Sequence, residues 1–393
     1  MEHMGFEPTA STMRMWRAPN CANAPKNGIK EARTPDLSRV RRTLIPAELC
    51  FHDIYYSTLP QEINEKIMKN QRGIRNFFLF HVMKIEKRGN NKEKGGRTAL
   101  ESGRRKQTCM EEEPDIRPDV KISVIMGVYG QKDEKQLKDA VFSILEQSFR
   151  DFEFIIYDDG SGPETGTLLK KLAADDRRIR LFRGEKNRGL AHGLNICIRH
   201  SRGTYIARMD ADDISAGDRL EKQYLFLENH PEYGFAGSSA WLLDGHGVWG
   251  IRYMPENPGS KDFLRFSPYI HPSVLFRKEV FKEYGLYSEA KKHLRCEDYE
   301  LFLRLYQRGC RGFNIREPLF FYREDETAYR KRKYRYRLRE CGLRFREFSR
   351  MGLLSGKGIL YALRPLLLGA VPGSWLYRWK KKKESWEGKI AEK

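Results

Sequence analysis

From Lys121 to Asp210 the chain alternates short apolar runs with stretches of helical period, and two of those runs end in carboxylates. The apolar runs are ISVIMGVY (122–129), FEFIIYDDG (152–160), IRLFRG (179–184) and TYIARMD (204–210). All four are short, and the first is rich in β-branched residues, as a buried strand should be. Between them Leu137, Val141, Ile144 and Leu145 fall at helical spacing. Leu168, Leu169 and Leu172 then do the same, followed by Leu190, Leu194 and Ile198. Strand and helix in strict alternation with short connections predict an α/β protein with a doubly wound, mostly parallel sheet. Further strands are expected at 235–244, 272–278 and 312–324, with helices around Gln223 and Phe302. Such sheets bind ligands beyond the carboxyl ends of their strands, which is where the carboxylates stand.

Each acidic cluster admits a structural and a chemical reading. Asp210, Asp212 and Asp213 crowd three carboxylates into four positions. A divalent cation relieves that repulsion and can clamp phosphate oxygens, whereas a helix cap needs only one of them. Asp158 and Asp159 precede Gly160 and Ser161; they can accept from a ribose or base, or simply make a turn. Glu297 and Asp298 open a helical stretch, where an acid favours the macrodipole and where a general base for a hydroxyl could equally sit. His271 is a single histidine, either a hydrogen-bonded structural residue or a ligand. Asn187, Arg188 and Gly189 open the helix after the third strand, as a cap or as a phosphate-facing turn.

Taken in order, the strand at 122–129, Asp158 to Ser161, Asn187 to Leu190, Asp210 to Asp213, His271 and Glu297-Asp298 resemble the family-2 glycosyltransferases of the GT-A fold across about 120–325. That resemblance implies a nucleotide-sugar donor, UDP-linked by preference, and Mn²⁺ or Mg²⁺ as cofactor. It implies transfer with inversion to a saccharide or lipid-linked acceptor in cell-surface polysaccharide or lipopolysaccharide synthesis. Carried over residue by residue, Tyr129, Asp158 and Asp159 would line the base and ribose, and Arg188 the base or phosphates. Asp210 would meet the donor, with Asp212 and Asp213 at the metal. His271 would lie near the diphosphate, and Asp298 would be the catalytic base. The chain departs from the family in its first loop, where Gly127 and Gly130 stand for the commoner Pro and Asn, and after Ser161, where Gly162, Pro163 and Glu164 follow.

Charge divides the chain in three. The net charge is +20, of which residues 1–119 carry +6 and residues 326–393 carry +13, so the middle is nearly neutral. Aromatics among arginines (Tyr329, Tyr334, Tyr336) suggest a nucleic-acid-binding alternative. The charge lies in the extensions rather than along the α/β region, so no nucleic acid is expected. A dinucleotide-binding oxidoreductase would need a third glycine after Gly127 and Gly130, and none stands there. The expected organisation is a poorly structured leader over 1–119, a catalytic domain over 120–325 and a basic, amphipathic helical tail over 326–393. The segment from Gly5 to Arg14 reads like a translated non-coding RNA gene, which would make Met110 the native start. The longest apolar stretch, 359–377, is broken by Arg364 and two prolines and falls short of a membrane span. Residues 358–383 are instead expected to touch an anionic membrane surface, Leu360, Leu363, Leu366, Leu367 and Leu368 buried in it and Arg364, Arg378 and Lys380 to Lys383 facing headgroups. A cytoplasmic enzyme, peripheral on the inner face of the membrane, follows. The seven cysteines are scattered and are expected to be free thiols.

Overall fold

The computed structural model describes residues 120–326 and 333–385; the expectations for the leader, including Met110, lie outside the described residues. The first half alternates as expected. Strand β1 (Ile122–Val128) is followed by helix α1 (Glu134–Leu145), β2 (Phe152–Asp158), α2 (Pro163–Asp175), β3 (Ile179–Arg183), α3 (Leu190–His200) and β4 (Tyr205–Met209). These four strands pair in parallel in the order β3-β2-β1-β4. All seven residues of β2 are buried. The reason is visible in the alternation of side chains. Ile125, Ile155 and Ile206 enter one core with Leu194 and Ile198 of α3. Val124, Met126, Phe154 and Ile156 enter a second with Leu137, Val141 and Ile144 of α1. β1, β2 and β4 are buried on both faces and are accordingly mostly apolar.

The second half is mixed rather than parallel. It runs β5 (Ile214–Ser215), α4 (Arg219–Asn229), β6 (Phe235–Asp244), β7 (Gly247–Arg252), β8 (Leu275–Arg277), α5 (Lys278–Tyr284), α6 (Glu297–Gln307) and β9 (Gly312–Arg323). The sheet continues from β4 through β8, β6 and β9 to β5, with β7 on β6. Strand β8 is antiparallel to both neighbours, and β9 is parallel to β6. The strand expected over 272–278 is shorter, because His271–Ser273 form a 3-10 turn with Pro272 inside it. Proline fits the start of such a turn and would have cost the strand a donor. Buried Cys197, Cys296, Cys310 and Cys341 are free thiols.

Three helices close the described chain: α7 (Tyr334–Arg350), α8 (Gly356–Gly369) and α9 (Gly373–Glu384). Leu343 and Phe348 of α7 join the same core as α3 and α6, so this part of the basic stretch packs on the enzyme. The amphipathic segment after Gly358 is two helices bent by 118°, the break falling at Val371 and Pro372. Among the described residues no single helix is long and apolar enough to cross a membrane.

Candidate active site

Parallel register lines up the carboxyl ends of β1 to β4. Val128 lies beside Asp158, and Asp158 beside Arg183. Tyr129, Asp159 and Asp210 therefore leave the sheet along one edge. Tyr129 is exposed there. Asp158 is buried; its Oδ1 accepts from the amide of Ser161 at 2.8 Å and its Oδ2 pairs with Arg183 at 3.4 Å. Asp159, also buried, holds the next loop. Its two oxygens accept from the amides of Arg188 at 2.9 Å and Gly189 at 2.8 Å. Gly160 (φ +72°) and Gly189 (φ +98°) turn the chain on either side, in the left-handed region that glycine enters without penalty. Both expected acids are at the strand ends, but their carboxylates are committed to backbone amides. What they present outward is the loop bearing exposed Arg188.

The strongest cluster sits at the end of β4. Single carboxylate oxygens of Asp210, Asp212 and Asp213 lie within 4.8 Å of one another, the first half-buried, the second exposed and the third buried. The buried β5–β9 pairing sets this turn against the end of β9. There the amide of Arg323 donates to Asp213 Oδ1 at 2.6 Å, and Arg323 Nε donates to the Asp212 carbonyl at 2.7 Å. Asp213 Oδ2 is buried with no protein partner. Burial, then the charges of Asp212 and Asp210, push the Asp213 carboxyl well up. Although much of Asp212 is exposed, its carboxyl lies close against the protein; loss of water there, then the Asp210 charge, pushes it up to about 6. An orphaned carboxylate oxygen in a crowded hard-oxygen set fits Mn²⁺ or Mg²⁺.

Sequence reading missed the residue that ties the site together. Arg208, in the middle of β4, is 1% exposed and its guanidinium pairs with Asp210. It lies opposite Ile125, whose side chain belongs to the core shared with α3 and α6. Burial raises the carboxyls of Asp212, Asp213 and Asp298 and opposes protonation of His271; the Arg208 charge partly offsets the first and adds to the second. An arginine inside an otherwise apolar strand was the available signal, since such a charge is rarely buried without a partner. Arg219 is equally buried and donates to the carbonyls of Arg208 at 3.1 Å and Pro272 at 3.0 Å, tying β4 to the His271 turn.

His271 is buried, its Nε2 2.8 Å from the Tyr287 hydroxyl. Burial and then Arg208 drive its pKa well below the usual range, so it is neutral. Tyr287 is in turn fixed by Asn195 of α3, which bonds both its amide and its carbonyl at 3.0 Å. Asp298 lies in the first turn of α6, and its Oδ1 accepts the amide of Tyr299 at 2.8 Å. Burial raises its pKa, while that hydrogen bond and Arg208 oppose the rise. Next to it Glu297 Oε2 is buried without a partner, and burial followed by the Asp298 charge raises Glu297. A buried carboxylate at a helix start, its pKa raised by burial, has the chemistry of a general base.

The family model for "Glycosyl transferase family 2" matches residues 123–285, from β1 through α5. The chain is 35% identical over 264 residues to the candidate glycosyltransferase EpsE of Bacillus subtilis (strain 168), spanning 67% of this chain and 94% of EpsE. The protein is a family-2 glycosyltransferase. Two other relatives are the O-antigen biosynthesis glycosyltransferase WbnJ of Escherichia coli, 32% identical over 53% of this chain and 82% of WbnJ, and the amylovoran biosynthesis glycosyltransferase AmsE of Erwinia amylovora, 30% identical over 53% of this chain and 78% of AmsE. In this glycosyltransferase the three-dimensional arrangement adds Arg208, Tyr287 and Arg323 to the residues at the strand ends, through their contacts with Asp210, His271 and Asp213.

Proposed function

We propose that this glycosyltransferase moves a hexose from a nucleoside diphosphate donor, UDP-linked by preference, to a hydroxyl of a saccharide or lipid-linked acceptor. The transfer inverts the anomeric carbon and serves cell-surface polysaccharide or lipopolysaccharide synthesis at the inner face of the membrane. The observation that carries the reading is the carboxylate cluster of Asp210, Asp212 and Asp213 just beyond β4, with Asp213 Oδ2 buried and unpartnered and Asp210 paired to the buried cation Arg208. The two halves of the reaction would meet there.

On the donor side, Tyr129 and the loop held by Asp159 would receive the base and ribose, and Arg188 the base or phosphates. Asp212 and Asp213, with Asp210 on the donor, would hold Mn²⁺ or Mg²⁺. When bound, that ion supplies positive charge to a departing diphosphate. On the acceptor side, Asp298 would take the proton of the attacking hydroxyl. The acceptor oxygen forms its bond to the anomeric carbon as the bond from that carbon to the diphosphate oxygen breaks. A single displacement needs no enzyme nucleophile and leaves inverted configuration. Neutral His271, fixed by Tyr287, borders the diphosphate without adding charge.

The names of WbnJ and AmsE support the placement in surface-polysaccharide assembly. The catalytic unit spans 120–325 in this proposal, with the basic segment from 326 serving location. Asp298→Asn tests the assignment of the base. Donor binding should persist while transfer to acceptor falls by about a hundred-fold or more, the usual contribution of a positioned base. Transfer at the wild-type rate would remove Asp298 from the role.

A further inference from the structure

Helix α8 is packed the wrong way round for a helix whose surroundings are water. Its residues against the protein are Gly358, Ala362 and Pro365, all buried. Gly358 approaches so closely that a Cβ there would lie 1.8 Å from the Leu353 carbonyl oxygen. The large apolar side chains point outward: Ile359, Leu360 at 60% exposure, Leu363 and Leu367 at 61%. With 100° per residue these four fall within one arc of about 100°, opposite the buried small residues. A helix in water buries its leucines and leaves its small residues outside.

Helix α9 continues the pattern with aromatic residues. Trp375 and Trp379 are 67% and 61% exposed, and Arg378, Lys382 and Lys383 are exposed beside them. Lys383 Nζ lies 5.7 Å from the Trp379 ring. The other side of α9 is fastened down. Lys381 Nζ and the Tyr377 hydroxyl bond Asp244 at 2.6 and 3.1 Å, Lys380 bonds Glu324 at 2.7 Å, and Glu384 pairs with Arg252. Lys380 and Lys381 therefore do not face outward, as the sequence suggested. They hold α9 against the end of β6 and the residue that follows β9, so that its tryptophan face is presented without the cost of ordering it on contact.

We propose that the outer face of α8 and α9 rests in the headgroup region of an anionic lipid bilayer. This rests on the membrane-side placement proposed above and names its partner and its residues. Charge decides between occupants. Residues 356–384 carry seven Lys and Arg and one carboxylate, Glu384, which Arg252 already takes. A second copy of the chain would set cations against cations. Anionic headgroups complement them, and leucine and tryptophan side chains have in the acyl boundary a medium that aliphatic groups enter favourably. Lys382, Lys383, Arg378 and Lys357 would lie at the phosphates, each gaining from the negative surface potential.

The experiment is flotation of the full-length protein with vesicles of phosphatidylcholine alone or mixed with phosphatidylglycerol, at low and raised salt. The wild type should float with the phosphatidylglycerol vesicles, lose part of that binding in salt, and shift its tryptophan emission to shorter wavelength. Leu360→Asp with Leu367→Asp should weaken partition by about a hundred-fold, roughly ten-fold for each leucine returned to water. Trp375→Ser with Trp379→Ser, also on the exposed face, should abolish the emission shift. Donor binding should be unchanged in both variants, because none of these four residues belongs to the strand-end site. Equal flotation with both vesicle types, no flotation at all, or variants that dissociate a dimer while floating normally would each overturn the proposal. Vesicle binding without any nucleotide-sugar binding by the wild type would overturn the transfer reading alone and leave the surface standing.

Discussion

Asp159 offers a prediction that separates two roles for one carboxylate. Both of its oxygens are taken by backbone amides, those of Arg188 and Gly189 at 2.9 and 2.8 Å, and the residue is 4% exposed. In Asp159→Asn one amide keeps an oxygen partner and the other meets an NH2 group. The loss is one charge-assisted hydrogen bond and an unsatisfied amide, about 1.5 to 3 kcal/mol. For a domain of this size each kcal/mol moves Tm by about 2 to 4 °C, so the variant should melt roughly 4 to 10 °C lower. Arg188 rides on the released loop, and donor affinity should fall with stability. Thermal unfolding followed by circular dichroism, and donor binding by titration calorimetry, read the two effects. An unchanged Tm with donor binding lost would refute the clamp and make Asp159 a direct donor ligand.

Gly160→Ala places a Cβ 2.8 Å from the Lys186 Cα at a backbone φ of +72°. It should cost about 1 to 3 kcal/mol in denaturant unfolding. As the proposed base, Asp298 must be a carboxylate to accept a proton, so the rate should fall as pH drops through its raised pKa. Arg208→Met removes a charge that opposes that rise, and the acid limb of kcat/KM should move to higher pH. A limb that stays in place would sever Arg208 from Asp298. Asp244→Ala deprives Lys381 and Tyr377 of their shared partner and should loosen α9, read as faster tryptic cleavage at Lys380 to Lys383. An unchanged cleavage rate would show that α9 is held by other contacts.

The first half of the fold was legible because its strands and helices each obey one period. Strands buried on both faces read as unbroken apolar runs, and the carboxylates at their ends stand out by contrast. The second half was less so. β5 has only two residues, too short for a period to show, and β7 turns back from β6 through Asp244 and Gly247. The strand expected over 272–278 took in Pro272 and Ser273, which belong to the turn that begins at His271. The cluster Asp210 to Asp213 could be named from spacing, whereas its contact with Arg323 joins residues 110 positions apart and has no local signature. Tyr287 is equally hidden, since it acts through His271 and Asn195. Arg208 was visible as an oddity in an apolar strand, and its partner Asp210 stands only two residues on. The tail's basic character was plain, but composition treats all lysines alike. The fold uses Lys380 and Lys381 inward and leaves Lys382 and Lys383 outside.

The central claim, a metal-dependent nucleotide-sugar site at the strand ends, is tested most directly by thermal unfolding of the full-length protein against a panel of nucleoside diphosphate sugars. Each is added with Mn²⁺, with Mg²⁺ or with a chelator. At a donor concentration a hundred times Kd, binding contributes about 2.7 kcal/mol, a rise of roughly 5 to 10 °C. One donor should stabilise the wild type with metal and not with chelator, and Asp212→Asn should abolish the shift. No stabilisation by any donor with either metal, or the same stabilisation in Asp212→Asn, would contradict the account.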